Sequence, residues 1–404
     1  MLYIQDIINN KYIVYDTDDR SYNELGKSEV LELNKHYKIL GVSSNNIKKV
    51  DLLNLVNKWK LLGVLEQKLN NLSINDLFNC DNDYKFETHE NNIELINYMG
   101  NYKTIKLPDF IDGLGSSCFY AHPYIEEIIL PKNLKYIGDY CFSYCSKLYR
   151  VNMPDTVTDI GISCFFSCIA LSKINLSKSL KTIKTQVFSN CKNLTEIEIP
   201  YNISYLDKSA FIHSGLKGIE IPDSVKHIEE ECFRLCLDLE YVKLSKSLNM
   251  LDKNVFEDCL KLKSIEIPEG VVKICDECFK KCSSLKTIKF NENLKVIDIN
   301  AFSECTSLEE IKFNDNLAEL GMFCFHKCTK LKTVKLNSNL RSLGSSCFRY
   351  CLKLQNIDIP ENVLYIGEDC FSNCNNTIKM YKKTFEINKK RIKDFIDRVE
   401  VISK

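Results

Sequence analysis

The chain of 404 residues sets 54 lysines and arginines against 54 aspartates and glutamates, and 45% of its residues are hydrophobic. This composition excludes a disordered chain, and zero net charge removes any global attraction to nucleic acid or an anionic membrane. The start, MLYIQDIINNKYIVYD, lacks the basic and apolar segments of a signal peptide, and no run approaches the ~18 apolar residues of a membrane span. The expected location is the cytoplasm, with the 20 cysteines as reduced thiols. A cell-surface location is the alternative.

Residues 1–92 read as a small α+β domain. KYIVYD and YKILGV have the character of strands, and SEVLELNKHY that of a short helix begun by Ser28. In DLLNLVNKWKLLGVLEQKL, Leu52, Leu55, Val56, Trp59 and Leu62 recur at helical spacing, with Gly63 weakening the second half. A polar connector follows around NCDNDYKFETHENN. Shielding the first coil of the array that comes next is the plain role for this domain. A separate docking or enzymatic unit is the other reading, although the segment carries no catalytic motif.

Beyond it the chain repeats. A phenylalanine returns as Phe119, Phe142, Phe165, Phe188, Phe211, Phe233, Phe256, Phe279, Phe302, Phe325, Phe348 and Phe371, each 23 residues after the last except Phe233, which follows by 22. Six residues after most anchors stands a leucine, such as Leu148 or Leu285. Nine, eleven, fifteen and eighteen after stand further apolar residues, such as Val151, Ile199, Val157 and Ile160. Seven of the eight prolines fall in one slot, twelve after the anchor position and eleven in the short unit at Pro222, Pro108 and Pro360 among them. The Pro108 match starts the pattern before Phe119, and the missing residue after Phe211 predicts a tightened turn at Gly215.

Alternation of Ile197 and Ile199 with Glu196 and Glu198 predicts a short strand, which proline then ends. Cys141, Phe142 and Cys145, at i, i+1 and i+4, are expected in a helical turn. A single unit cannot bury its apolar face, so units must stack, their strands aligned in a parallel sheet.

The unit, spelled by CFSYCSKLYRVNMPDTVTDIG from Cys141, resembles the BspA-type leucine-rich repeat over roughly residues 93–380. The resemblance implies an α/β leucine-rich-repeat solenoid of about twelve coils with a parallel sheet on one face. It further implies a family that binds proteins rather than one that catalyses.

The cysteines suggest metal or redox chemistry, but their slots are not exclusive. The position before the anchor also holds Val187, Ala210, Val255 and Ala301; the position three after it also holds Ser214 and His122. A slot that accepts valine or alanine needs a small buried residue, and free cysteine is one. Thiols at i and i+4 of a helical turn are also poorly placed to bridge. The histidines (His36, His89, His122, His213, His227 and His326) show no metal-binding spacing, and GLGSS and LGSSC are not phosphate loops. No catalytic residue, cofactor or metal is expected.

The last segment, 381–404, is expected to be a capping helix with Ile392, Phe395, Ile396, Val399 and Ile402 on one stripe. The exposed strand positions eight and ten residues after each anchor form columns across the coils. Lys289, Lys312 and Lys335 follow one another in the second column, with Lys243 two coils before Lys289 and Lys286 and Lys332 alongside. These six lysines are the candidate contact residues for a protein partner of acidic character, or simply a solvated face. The expected function is a non-catalytic interaction scaffold with an undetermined oligomeric state. Its rivals are an effector with activity in residues 1–92 and an exported surface adhesin.

Overall fold

The computed structural model describes residues 92–403 and, before them, strands at 2–8, 11–16, 21–26, 40–41 and 84–89. The chain divides into two compact units, Met1–Asn82 and Asp83–Lys404. In the first, β1 (Leu2–Ile8), β2 (Lys11–Asp16), β3 (Ser21–Gly26) and β4 (Leu40–Gly41) form a sheet of order β3-β2-β1-β4. Only β4 runs parallel to its neighbour. KYIVYD is β2 and YKILGV contains β4; β1 and β3 were not apparent from the sequence. SYNELG has one strong apolar residue, and pairing with β2 rather than alternation makes it a strand. The helices expected over 28–37 and 51–69 lie outside the described residues.

The second unit is a solenoid. Most coils contribute a three-residue strand to one face, the wide sheet, hydrogen-bonded as five separate parallel ladders, and a two-residue strand to another, the narrow sheet; Arg150–Asn152 and Asp159–Ile160 are one such pair, whereas the strand expected around Ile197 and Ile199 does not form. The wide strand shows the expected pattern, with Val151 buried between exposed Arg150 and Asn152. The polar run read as a connector instead carries a strand, Tyr84–His89, paired antiparallel with Asn92–Tyr98. This hairpin adds onto the narrow sheet at Gly113–Leu114 and covers its first edge.

The twelve anchor phenylalanines form one column at the centre. All are at most 1% exposed. Successive rings stack 5.1–5.7 Å apart, tilted by no more than 19°. Offset stacking adds to the burial energy of each ring. Tyr98 closes one end of the column at 5.3 Å, and Phe395 meets Phe371 edge-on at 5.5 Å at the other.

The segment around each anchor is not a helical turn. Residues two before and two after every anchor, Tyr140 and Tyr144 for Phe142, have φ between 52° and 63°. Such left-handed residues cost roughly 1–2 kcal/mol each when they are not glycine. They let the backbone amides alternate. Tyr140, Phe142 and Tyr144 donate to Ile162, Cys164 and Phe166 of the next coil at 2.7–2.9 Å, while Ser143 and Cys145 donate back to Tyr140 and Phe142. A helix would have kept all these bonds within one coil and left the stack without them.

The proline slot has a second solution. Ser177, Ser245, Asn291, Asn314 and Asn337 occupy it where proline does not. Their side chains donate to the carbonyls of Val157, Val225, Val271, Leu294 and Leu317 at 2.6–3.1 Å and accept from the amide two residues on. At the short unit, Gly215 lies so close to the preceding coil that a Cβ would sit 1.9 Å from the Lys192 carbonyl oxygen. The tightened turn therefore admits only glycine.

The carboxyl end departs from the expected helix. A helix spans only Lys382–Asn388, and Val399–Ile402 is a strand parallel to Ile378–Tyr381. Asn388 ends the helix: its buried side chain accepts from the Ile366 amide at 2.9 Å and donates to the Thr384 carbonyl. The last wide strand otherwise leaves an unpaired edge, and β-branched Val399, Val401 and Ile402 suit that edge better than a helix stripe. Of the five residues assigned to the stripe, Ile392 and Phe395 alone are buried.

Replacing Phe256 by alanine should cost about 3–5 kcal/mol, because it removes a fully buried ring from the middle of the column. Urea unfolding followed by circular dichroism measures this, and a loss below about 1 kcal/mol would contradict the column's role.

Stability should also depend on pH through histidine. Burial lowers the pKa of His122, His213 and His326 below the ordinary value. The unfolded chain then binds more protons than the folded one as pH falls from about 6.5. The stability gained from neutral histidine is complete above that pH and is lost as pH falls through the folded values. Melting temperature should drop between pH ~7.5 and ~5.5. His122→Gln, which keeps a donor for the Gly100 carbonyl that His122 Nε2 meets at 2.7 Å, should reduce that slope.

Candidate partner-binding face

The outer side of the wide sheet presents the six lysines singled out from sequence. The coil register sets their neighbours, because each residue faces its counterpart about 23 positions along. Glu220 stands beside Lys243, Glu266 beside Lys289, and Lys312 beside Lys335.

Three of the six are held by a glutamate one coil earlier. Lys243 Nζ lies 2.9 Å from Glu220, Lys332 Nζ lies 2.7 Å from Glu309, and Lys289 bonds Glu266. These hydrogen bonds raise the pKa of Lys243 and Lys289 and lower that of Glu309. All are exposed pairs, individually worth little to stability. The column of three stacked ammonium groups is therefore interrupted, since Lys289 turns to Glu266. Lys286, Lys312 and Lys335 have no ion pair among the described residues, and Lys312 and Lys335 are direct register partners.

Sequence reasoning placed no weight on the acidic end of the same face. Residues 196–198 form no strand, and a shallow open groove runs over this part of the wide sheet from Ser172 to Glu269. Its lining includes Glu196, Glu198, Glu220 and Glu266, with Tyr241 49% exposed among them. Glu196 and Glu198 are exposed and have no cationic partner among the described residues. Their place in the same strand columns as the lysines is visible in the sequence.

The nineteen described cysteines are all buried free thiols. Those before the anchor fill space, as their exchange with valine and alanine implies. Those three after the anchor do more. Ten of them direct Sγ at the carbonyl of the preceding anchor phenylalanine, 3.0–3.3 Å away, as Cys145 does toward Phe119. Weak S–H donors suit this slot, and Ser214 and His122 replace them with other polar groups. Burial pushes up the thiols three after the anchor, Cys191 to about 12 and Cys236 and Cys374 to about 11. Among the described residues no group of three or more histidine, cysteine or acidic side chains is placed to hold a metal ion.

The repeated coils are covered by one family model. The model of the BspA type leucine rich repeat region matches in overlapping stretches from residue 68 to residue 378. The chain belongs to the BspA-type leucine-rich repeat family. Among solved structures, a leucine-rich repeat protein from Bacteroides ovatus is similar over 80% of this chain and 97% of its own, with 22% identity and a TM-score of 0.54. A leucine rich cell surface protein from Faecalibacterium prausnitzii is similar over 75% of this chain and 88% of its own, with 23% identity and a TM-score of 0.47. No curated protein matches the chain. No helix among the described residues is long and apolar enough to cross a membrane.

In this BspA-type solenoid the thiols should be inert. Iodoacetamide at about pH 8 should label none of the nineteen described cysteines in the folded protein and every cysteine in denaturant, as located by peptide mass mapping. Rapid native labelling of several thiols would show that the coils open far more readily than their packing implies.

Proposed function

We propose that the protein is a non-catalytic scaffold that binds an acidic segment of another protein across the wide sheet. The segment lies over Lys286, Lys289, Lys312 and Lys335, with Lys243 and Lys332 at the margins. The observation that carries this reading is the adjacent pair Lys312 and Lys335, exposed, in register and without a carboxylate. An incoming carboxylate between them relieves their repulsion and gains Coulomb energy together. Glu309 and Glu310 interrupt the basic surface, so it offers no continuous cationic track for a nucleic-acid backbone and suits a short acidic peptide. A reducing compartment suits the free thiols.

The test is binding of a fluorescent polyglutamate peptide to the full chain, compared with Lys289→Glu/Lys312→Glu/Lys335→Glu. The triple variant should keep its circular dichroism spectrum and bind about tenfold or more weakly, mostly through slower association. Raising salt should weaken the wild type toward the variant. Equal binding by a folded variant at low salt would leave the lysines as a solvated face only.

A further inference from the structure

The wide sheet is charged in opposite senses on the two sides of the Phe256 coil. Over the coils of Phe188, Phe211 and Phe233 its outward positions carry Glu196, Glu198, Glu220 and Glu240 against Lys217 and Lys243. Over the coils of Phe279, Phe302 and Phe325 they carry Lys286, Lys289, Lys312, Lys332 and Lys335 against Glu309 and Glu310. The Phe256 coil between them is balanced by Lys263 and Glu266. Among the groups without an ion pair, Glu196 and Glu198 lie on the acidic side and Lys286, Lys312 and Lys335 on the basic side.

Such a face is complementary to itself. A two-fold axis through the Phe256 coil, parallel to the strands, reverses the coil order and keeps the strand direction. It sets the coil of Phe188 against that of Phe325 and the coil of Phe211 against that of Phe302. At the second outward position of the strand, Glu198 then meets Lys335, and Glu220, which also holds Lys243, meets Lys312, each twice. One position class over, Glu240, already bonded to Lys263, meets Lys286, and Lys217 meets Glu309, already bonded to Lys332. Near the axis Lys243 faces Lys289, and on it Lys263 and Glu266 each face their own copy, but all four are already bonded to a group of opposite charge in their own chain. Tyr241, half exposed, falls opposite Thr287 and supplies apolar area close to the centre.

We infer that the wide sheet binds a second copy of this chain in antiparallel coil order, the acidic end of one copy seated on the lysine end of the other. The inference rests on the reading of this face as a docking surface and names its occupant. The contact is isologous, so each charged pair is formed twice and the assembly closes at two. Seven coils at ~4.8 Å and a strand of three residues give a footprint of about 30 Å by 10 Å. That is below the ~800 Å² per partner of a lasting complex, so pairing is weak, driven by charge and readily displaced by a stronger acidic ligand.

Sedimentation velocity on the full chain tests this, over rising concentration at about 50 mM and about 500 mM salt. Two variants are needed, Lys312→Glu/Lys335→Glu and Glu198→Lys/Glu220→Lys, each checked by circular dichroism. The wild type should self-associate at low salt, with a dissociation constant at least about tenfold higher at high salt. Each variant alone should remain monomeric, because like charges then oppose across the axis. An equal mixture of the two should recover the dimer, since the acidic face of one meets the basic face of the other. A wild type monomeric throughout overturns the inference, as does a mixture that fails to pair. If that monomer still binds polyglutamate, the docking reading stands and only the second copy is lost; if it binds neither, both fall.

Discussion

The spacing of twelve stacked phenylalanine rings governs the rest of this molecule. Rings 5.1–5.7 Å apart leave room for one coil per ring and no more. A parallel strand ladder has nearly the same repeat, so ring stacking and strand pairing reinforce each other. Every other slot follows from this pitch. The cysteines beside each ring are small because the coil above must come within hydrogen-bonding reach of the coil below. The left-handed residues on either side of the ring are accepted because they turn alternate amides toward that neighbour. Ends are the weak point of such a stack, and both are closed by aromatic residues, Tyr98 and Phe395.

The same pitch organises the surface. Side chains one coil apart meet, so ion pairs link residues about 23 positions distant, as in Lys261 with Asp238 at 2.6 Å and Lys184 with Asp159 at 2.7 Å. A surface built this way is a set of columns, and its chemistry depends on which charge follows which. Where glutamate precedes lysine, the pair satisfies itself. Where lysine follows lysine, as at Lys312 and Lys335, charge is left for something outside the coil. The functional reading of the wide sheet therefore turns on a few breaks in an otherwise self-neutralising pattern.

Much of this was legible in the chain. The period, the inward and outward positions of the wide strand, the turn at Gly215 and the buried cysteine slots all follow from residue type and spacing. The lysine column was legible as a column but not as chemistry. Whether Lys289 is free or bonded to Glu266 depends on side-chain geometry that spacing does not contain. The helical reading of the anchor segment failed because i and i+4 burial is produced equally well by a tight alternating turn. The carboxyl-terminal stripe failed for a related reason. Ile392 and Phe395 are buried, but the open edge beside Ile378–Tyr381 drew Val399–Ile402 into a strand.

The sequence by itself determined the repeat, the family and which residues face inward, because burial selects residue type at each position of a coil whatever lies next to it. Tertiary structure decided what the backbone does around each phenylalanine, how the chain ends and which surface charges remain unpaired. Those outcomes depend on the neighbouring coil: a hydrogen bond or an ion pair that crosses between coils has two partners, and no single repeat contains both.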